Sequence, residues 1–159
     1  MNILNSELDF VTAPNDVRRA FLGQRAERRL IPMGHELYKF TQHQLFKTDG
    51  TVTPWWSSVL PLDANDPGLA GTLERAANLG AAASEFARTR TAVTRQWNRM
   101  TDLQRARLLV SVYGFVGRCS GQKMDDDPQL QNVIYIGGAY QIWIPNLTRG
   151  MILQSAIDR

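Results

Sequence analysis

The amino-acid sequence predicts one α+β domain in which a small mixed or antiparallel sheet is split by a helical insert. Stretches rich in β-branched and aromatic residues occur towards both ends of the chain, and alanine-rich, charged stretches with helical periodicity lie between them. Strands and helices that are segregated in this way favour α+β over an alternating α/β fold. The 159 residues, 43% of them hydrophobic, fit a single domain over 1–159 that folds unaided.

The first third of the chain predicts a basic helix followed by two strands. After an extended lead-in over 1–13, Pro14-Asn15-Asp16 offers a helix start, and apolar residues recur at helical spacing as far as Leu30, with arginines on the other faces. Residues 35–41 then alternate as a strand does. The Asp49-Gly50 pair predicts a turn before a second strand within 52–60, which Pro54 places at a sheet edge or confines to the residues after it.

The middle of the chain predicts a helical insert over 67–118. Alanine-rich stretches indicate helices over 67–79 and 81–99, and Thr101 with Gln104 matches a capping box that starts a third helix, ending near Gly117.

The last third of the chain predicts an acidic loop and a pair of strands. The loop covers 121–128 and contains three consecutive aspartates. Residues 132–136 and 140–144 are predicted strands that meet at Gly137-Gly138, and 150–159 form a short helix or a fraying tail.

Composition excludes several classes of site. The net charge of +3 and the pI of about 9.4 tolerate an anionic partner but lack the density of a nucleic-acid-binding arm. The lone Cys119 rules out an intramolecular disulfide and is expected to be a small buried thiol. His35 and His43 do not have zinc-ligand spacing. Because we find no signal peptide or membrane span, we expect a cytoplasmic protein, or one exported without a cleavable signal that acts in a target cytoplasm.

Polar and aromatic side chains recur on the predicted strands. The first strand carries His35, Tyr38 and Lys39, the second carries Trp56 and Ser57, and the last carries Tyr140 and Gln141. A dinucleotide site needs an aromatic wall, a hydroxyl, a cation and a polar group near the ribose, and all four kinds are available here. The alternative is that the aromatic residues belong to the core and the lysine to the surface.

At these positions the chain resembles ADP-ribosyltransferase domains of the bacterial toxin and effector type. The resemblance rests on Leu37-Tyr38-Lys39, on Trp56-Ser57-Ser58 and on the strand from Tyr140 to Pro145. It implies NAD as cofactor. Lys39 would contact the phosphates or ribose, Ser57 would brace the site, and Trp56 or Tyr38 would stack on nicotinamide. His35 and Tyr140 would line the same NAD site, and Gln141 would take the place of the catalytic carboxylate.

Two residues depart from the family pattern. Lys39 stands where an arginine is usual, so the bidentate phosphate contact is lost. Gln141 can bond a hydroxyl but cannot carry negative charge. Either the chemistry is altered, or the active carboxylate is elsewhere, with Glu36 the nearest candidate in the first strand, or the fold serves binding only.

The resemblance implies a macromolecular target, protein or nucleic acid, together with an immunity or antitoxin partner and no membrane association. A second hypothesis is a non-enzymatic protein that engages a protein or nucleic-acid partner through the basic helix and exposed tryptophans. A third is a structural component of a larger assembly.

Overall fold

A computed structural model describes residues 3–41, 46–78, 102–120, 122–123, 134–135 and 140–155. Seven antiparallel strands form one sheet in the order β1-β5-β8-β3-β2-β4-β9, and β6 and β7 form a separate pair. The strands are β1 (Glu27–Ile31), β2 (Glu36–Thr41), β3 (Trp55–Ser58), β4 (Asp102–Leu108), β5 (Val112–Arg118), β6 (Gln122–Lys123), β7 (Ile134–Tyr135), β8 (Tyr140–Trp143) and β9 (Ile152–Gln154). The described helices are α1 (Asn15–Ala20) and α2 (Gly68–Asn78), with 3-10 turns at Phe10–Thr12, Leu22–Gln24 and Arg149–Met151.

The seven-stranded sheet has two faces because successive side chains of a strand point to opposite sides. The inner face is the one on which all seven strands contribute to a single buried cluster, which includes Leu37, Trp56, Val116 and Ile142. The outer face carries Phe115 and Trp143, whose rings stack 5.7 Å apart. Both faces therefore carry buried apolar residues, and each position on a strand can be assigned to one of them.

Two segments cover the outer face. The N-terminal segment, defined here as residues 8–26, packs Val17 and Phe21 against the aromatic residues of β5 and β8. Gly117 permits this close approach, since a Cβ there would lie 2.7 Å from the Arg25 carbonyl oxygen and 2.8 Å from Cδ1 of Phe21. The other segment is α2, which packs near β2 and β3.

The basic helix predicted from Pro14 to Leu30 is shorter than expected. It ends at Ala20, and the residues from Glu27 to Ile31 are strand β1, paired with β5. Gly23 has a φ of 64° and Gln24 a φ of 52°, conformations that a helix does not accommodate. The backbone pairing with β5 then outweighs the helical spacing of the side chains.

The helix predicted over 101–117 is wrong, because the chain forms the strands β4 and β5 there. Burial alternates along β4, where Gln104, Ala106 and Leu108 face the core and the arginines between them do not. Both strands find partners distant in sequence, and Gly114 is poorly suited to a helix interior. The helical insert over 67–118 is consequently confirmed only for α2; the predicted helix over 81–99 lies outside the described residues.

The remaining expectations are partly met. Strands β2 and β3 are confirmed, with β3 beginning just after Pro54, and Gly50 has the φ of 82° that suits the predicted turn. The two final strands form, but they do not pair with each other: β8 lies between β3 and β5, and β7 pairs with β6. Strand β9 stands where a helix or tail was expected. Most of the acidic loop 121–128, as well as Gly137-Gly138 and His43, lies outside the described residues.

Candidate functional site

The three strands that carry the sequence motifs are neighbours in the sheet, in the order β2-β3-β8. The alternation of the strands nevertheless divides the seven candidate residues between the two faces. The outer face receives Tyr38, Ser57 and Gln141. The inner face receives His35, Lys39, Trp56 and Tyr140. The sheet therefore separates Lys39 from Gln141, and the candidate residues do not converge on one cleft.

Tyr38, Ser57 and Gln141 form what we call the outer-face row. Tyr38 pairs directly with Ser57 across β2 and β3. Trp55 pairs with Trp143 and Trp56 with Ile142 across β3 and β8, and Ser57 and Gln141 are the next residues of these two strands on the outer face. The row thus draws one residue from each of three adjacent strands.

Tyr38 anchors one end of the row. Its side chain is 7% exposed and its hydroxyl is hydrogen-bonded to those of Thr72 and Ser57. Burial raises the pKa of the Tyr38 hydroxyl, with the hydrogen bonds from Thr72 and Ser57 acting in the opposite direction. Because Thr72 belongs to α2, these bonds hold the helix against the sheet.

Gln141 and Ser57 remain half-buried, as does Trp55 on the same face. The Gln141 amide donates from Nε2 to the Ala20 carbonyl oxygen at 2.9 Å. No donor in the described part of the chain reaches its Oε1. The Trp55 ring lies 5.6 Å from Phe21. These three half-buried side chains make up the candidate site, with Tyr38 and α2 on one side of it and the N-terminal segment on the other.

A charged group borders the row on β2 and β4. Glu36 lies two residues before Tyr38 and faces the same side, and its carboxylate accepts from Arg105 at 2.8 Å and from Arg107 at 3.0 Å. The hydrogen bonds from Arg107 and Arg105 lower the pKa of Glu36. Arg105 is also the cross-strand neighbour of Tyr38, so a planar guanidinium lies at the end of the row.

On the inner face, Lys39 and Trp56 form what we call the inner-face pair. The Lys39 ammonium lies 3.9 Å from the centroid of the Trp56 ring and donates to the hydroxyl of Thr53. Burial of the ammonium lowers the pKa of Lys39 to about 7. Trp56 is only 2% exposed, so in this conformation its ring is not open to stacking on nicotinamide. Trp55 is the more accessible of the adjacent tryptophans.

His35 lies at the other end of β2. Its Nε2 is 2.7 Å from Ser58 Oγ, and the Ser58 hydroxyl donates to the Leu60 carbonyl oxygen, so His35 must be the donor to Ser58. Burial lowers the pKa of His35 and thereby favours this neutral form. Four residues along a strand separate His35 from Lys39 by about 13 Å. Tyr140 packs against the inner core, with Arg118 5.4 Å from its ring centroid.

Comparison with protein families, curated proteins and solved structures gave no match. Within the described ranges, no group of three or more His, Cys, Asp or Glu side chains could hold a metal ion. Among the same residues, no helix has the length and apolar character that crossing a membrane requires. The functional argument therefore depends on the geometry of the outer-face row and its neighbours.

Sequence reasoning missed three residues of this region. The sequence motif points to Trp56 rather than Trp55, although adjacent strand residues must face opposite sides. Arg105 is missed because the incorrect helix prediction over 101–117 does not place it on the sheet beside Tyr38. Thr72 reaches Tyr38 only through the packing of α2 on the sheet, for which the sequence carries no local signal.

Proposed function

We propose that the protein is an NAD-dependent ADP-ribosyltransferase-like toxin or effector that modifies a macromolecular target through its outer face. The observation that supports this most is the outer-face row, because Tyr38, Ser57 and Gln141 come from the three motif strands, which are adjacent in the sheet, and share its outer face. The half-buried Trp55 next to them supplies an aromatic surface. Together these groups match the needs of a nicotinamide riboside: stacking, hydroxyl contacts and an acceptor near the sugar.

The row would act at the nicotinamide end of NAD. As the bond between the nicotinamide nitrogen and ribose C1′ breaks, its electron pair leaves with nicotinamide and positive charge develops on the sugar. Gln141 Oε1 would accept from a ribose hydroxyl and thereby orient the sugar. A nucleophile of the target then bonds to C1′ and loses its proton.

Charge stabilisation in this site would be weak. Gln141 is neutral, whereas a carboxylate stabilises developing positive charge directly. Glu36 is a carboxylate on the same face, but it is engaged by Arg105 and Arg107. We therefore expect slow turnover. Arg105 would be the phosphate-binding cation, since its guanidinium borders the row and Lys39 lies on the opposite face.

Incubation with labelled NAD and a cell lysate tests the transfer. We expect release of nicotinamide and label on a macromolecule, and loss of both in Ser57→Ala and Gln141→Ala. Gln154→Ala is the matched control, because Gln154 is a half-buried strand amide on the edge strand β9, where it pairs with Ala106. With folded wild-type protein, the absence of both nicotinamide release and NAD binding would refute the function.

A non-enzymatic binding role is the second candidate. It is favoured by Gln141, whose amide is uncharged and already bonded to Ala20. Exposed arginines of the N-terminal region, Arg19, Arg25 and Arg28, could contact an acidic protein or a nucleic acid. The described tryptophans contribute less than the sequence implied, since Trp56 and Trp143 are buried. Salt-sensitive association without nicotinamide release would favour this role, and replacement of all three arginines by alanine should abolish it.

A further inference from the structure

The inner-face pair places two polar donors in the core without enough acceptors. The Lys39 ammonium has three N–H groups, and the acceptors nearest to it are the hydroxyl and, at 3.4 Å, the carbonyl oxygen of Thr53. The Trp56 indole Nε1 is buried and has no hydrogen-bond partner among the described residues. Buried donors are almost always paired in folded proteins. One N–H of Lys39 and the N–H of Trp56 therefore lack acceptors, and the two groups are neighbours.

The surroundings of Lys39 carry no compensating negative charge in the described part of the chain. Gln104 faces it from β4 and in turn accepts from Gln154 on β9 at 3.2 Å. Trp56 faces it from β3, and Thr53 from the residues before that strand. These three neighbours are neutral, and desolvation alone accounts for the lowered pKa of Lys39. A cation in such a place is stabilised by an anion more strongly than a surface lysine would be.

Lys39 lies two residues before the end of β2, and the residue as a whole is half-buried although its ammonium is withdrawn from water. Because Nζ lies over the ring that carries Nε1, an oxyanion at the edge of that ring can accept from both donors.

We propose that the inner face binds a small oxyanion of the phosphate type through Lys39 Nζ and Trp56 Nε1. The chemistry is the same for free inorganic phosphate and for the phosphate group of a nucleotide. This site lies across the sheet from the outer-face row and does not depend on the proposed transferase function.

Binding should depend on pH because the oxyanion prefers the ammonium form of Lys39. With a pKa of about 7 for the free protein, the affinity should be nearly constant below pH 6 and fall about tenfold per unit above pH 7.5. Sulfate is the suitable probe for this slope, since its charge stays the same across the range.

The test uses the full chain with 15N-labelled indole groups, observed by NMR at constant ionic strength. Trp56→Phe identifies the Trp56 indole signal. Sulfate, inorganic phosphate and AMP are then titrated, with chloride as the reference ion. We expect a saturable shift of that signal, lost in Lys39→Met and retained in Lys47→Met, because the Lys47 side chain is exposed.

The outcomes are separable. A tighter response to AMP than to phosphate would identify a nucleotide as the source, and the reverse would identify free phosphate; either supports the site. Silence of the Trp56 signal towards all three ligands, or an equal response in Lys39→Met, would overturn it. If Lys39→Met does not fold, calorimetric titration of Trp56→Phe with sulfate takes its place, and unchanged affinity there would also overturn the site. Since no measurement involves NAD turnover, failure of the transferase function leaves this result unaffected.

Discussion

We predict that Lys39→Met raises the free energy of unfolding at pH 7 and flattens its dependence on pH between 7 and 9. Burial lowers the pKa of Lys39 from 10.5 to about 7. Between these two values the unfolded chain holds the lysine proton and the folded protein largely does not. The unfolded state therefore binds more protons, and stability rises with pH throughout this window.

The size of the effect follows from the same shift. A tenfold change in proton affinity corresponds to roughly 1.4 kcal/mol, so lowering the pKa from 10.5 to about 7 sets an upper limit of about 5 kcal/mol, of which roughly 2 kcal/mol should return between pH 7 and pH 9. Methionine has a similar length and carries no charge. The substitution removes the cation–π contact and the hydrogen bond to Thr53, which costs about 1–2 kcal/mol. The net gain in the free energy of unfolding at pH 7 is then about 1–3 kcal/mol.

Urea denaturation at pH 7, 8 and 9, followed by tryptophan fluorescence and circular dichroism, measures both quantities. Lys47→Met is the matched control and should follow the wild-type profile, because Lys47 is exposed. Parallel pH profiles for the wild type and Lys39→Met would refute the argument that the ammonium is desolvated, and so would a Lys39→Met protein that is less stable at pH 7.

Two further predictions concern packing and acid stability. Gly117→Ala should lower the free energy of unfolding by about 1–3 kcal/mol, because the new Cβ would meet the Arg25 carbonyl and the Phe21 ring. Gly150→Ala is the control: a Cβ there meets nothing within 4 Å, and the free energy of unfolding should change by less than about 0.5 kcal/mol. Equal shifts of the melting temperature for the two variants would contradict this account of the N-terminal segment. The lowered pKa of His35 predicts that stability falls as the pH drops below 6.5, since the unfolded state then gains a proton that the folded state resists, and His35→Gln should reduce this loss in melting experiments at pH 5 and pH 7.

The parts of the fold that sequence predicted are those with local signals. Strand β2 has an alternating pattern, the turn before β3 has an Asp-Gly pair, and α2 is rich in alanine. Strands β4 and β5 lacked such a signal, because Thr101 and Gln104 imitate a helix cap and the pairing that decides the outcome is with residues distant in sequence. A local pattern cannot report the energy of a partner strand.

The sequence predicts which strands carry the candidate site, but not which side chains meet on one face of the sheet. The sequence identified β2, β3 and β8, and the structure makes them neighbours. Alternation alone could have separated Lys39 from Tyr38 and Trp56 from Ser57. It could not relate one strand to the next, because that requires the register between β3 and β8. The grouping of Tyr38, Ser57 and Gln141 therefore needed the tertiary structure.

The most direct test of the outer-face site is the rate of nicotinamide release from NAD by the wild type and by Gln141→Glu. The glutamate places a negative charge where the sugar becomes positive, so release should accelerate by on the order of tenfold or more. Circular dichroism must confirm folding, since the glutamate cannot donate to Ala20 as Gln141 does. Faster release by Gln141→Glu, lost again when Ser57→Ala is added, is the predicted result. No release by either protein, with both folded and neither binding NAD, would contradict the assignment of the outer-face row as an NAD site.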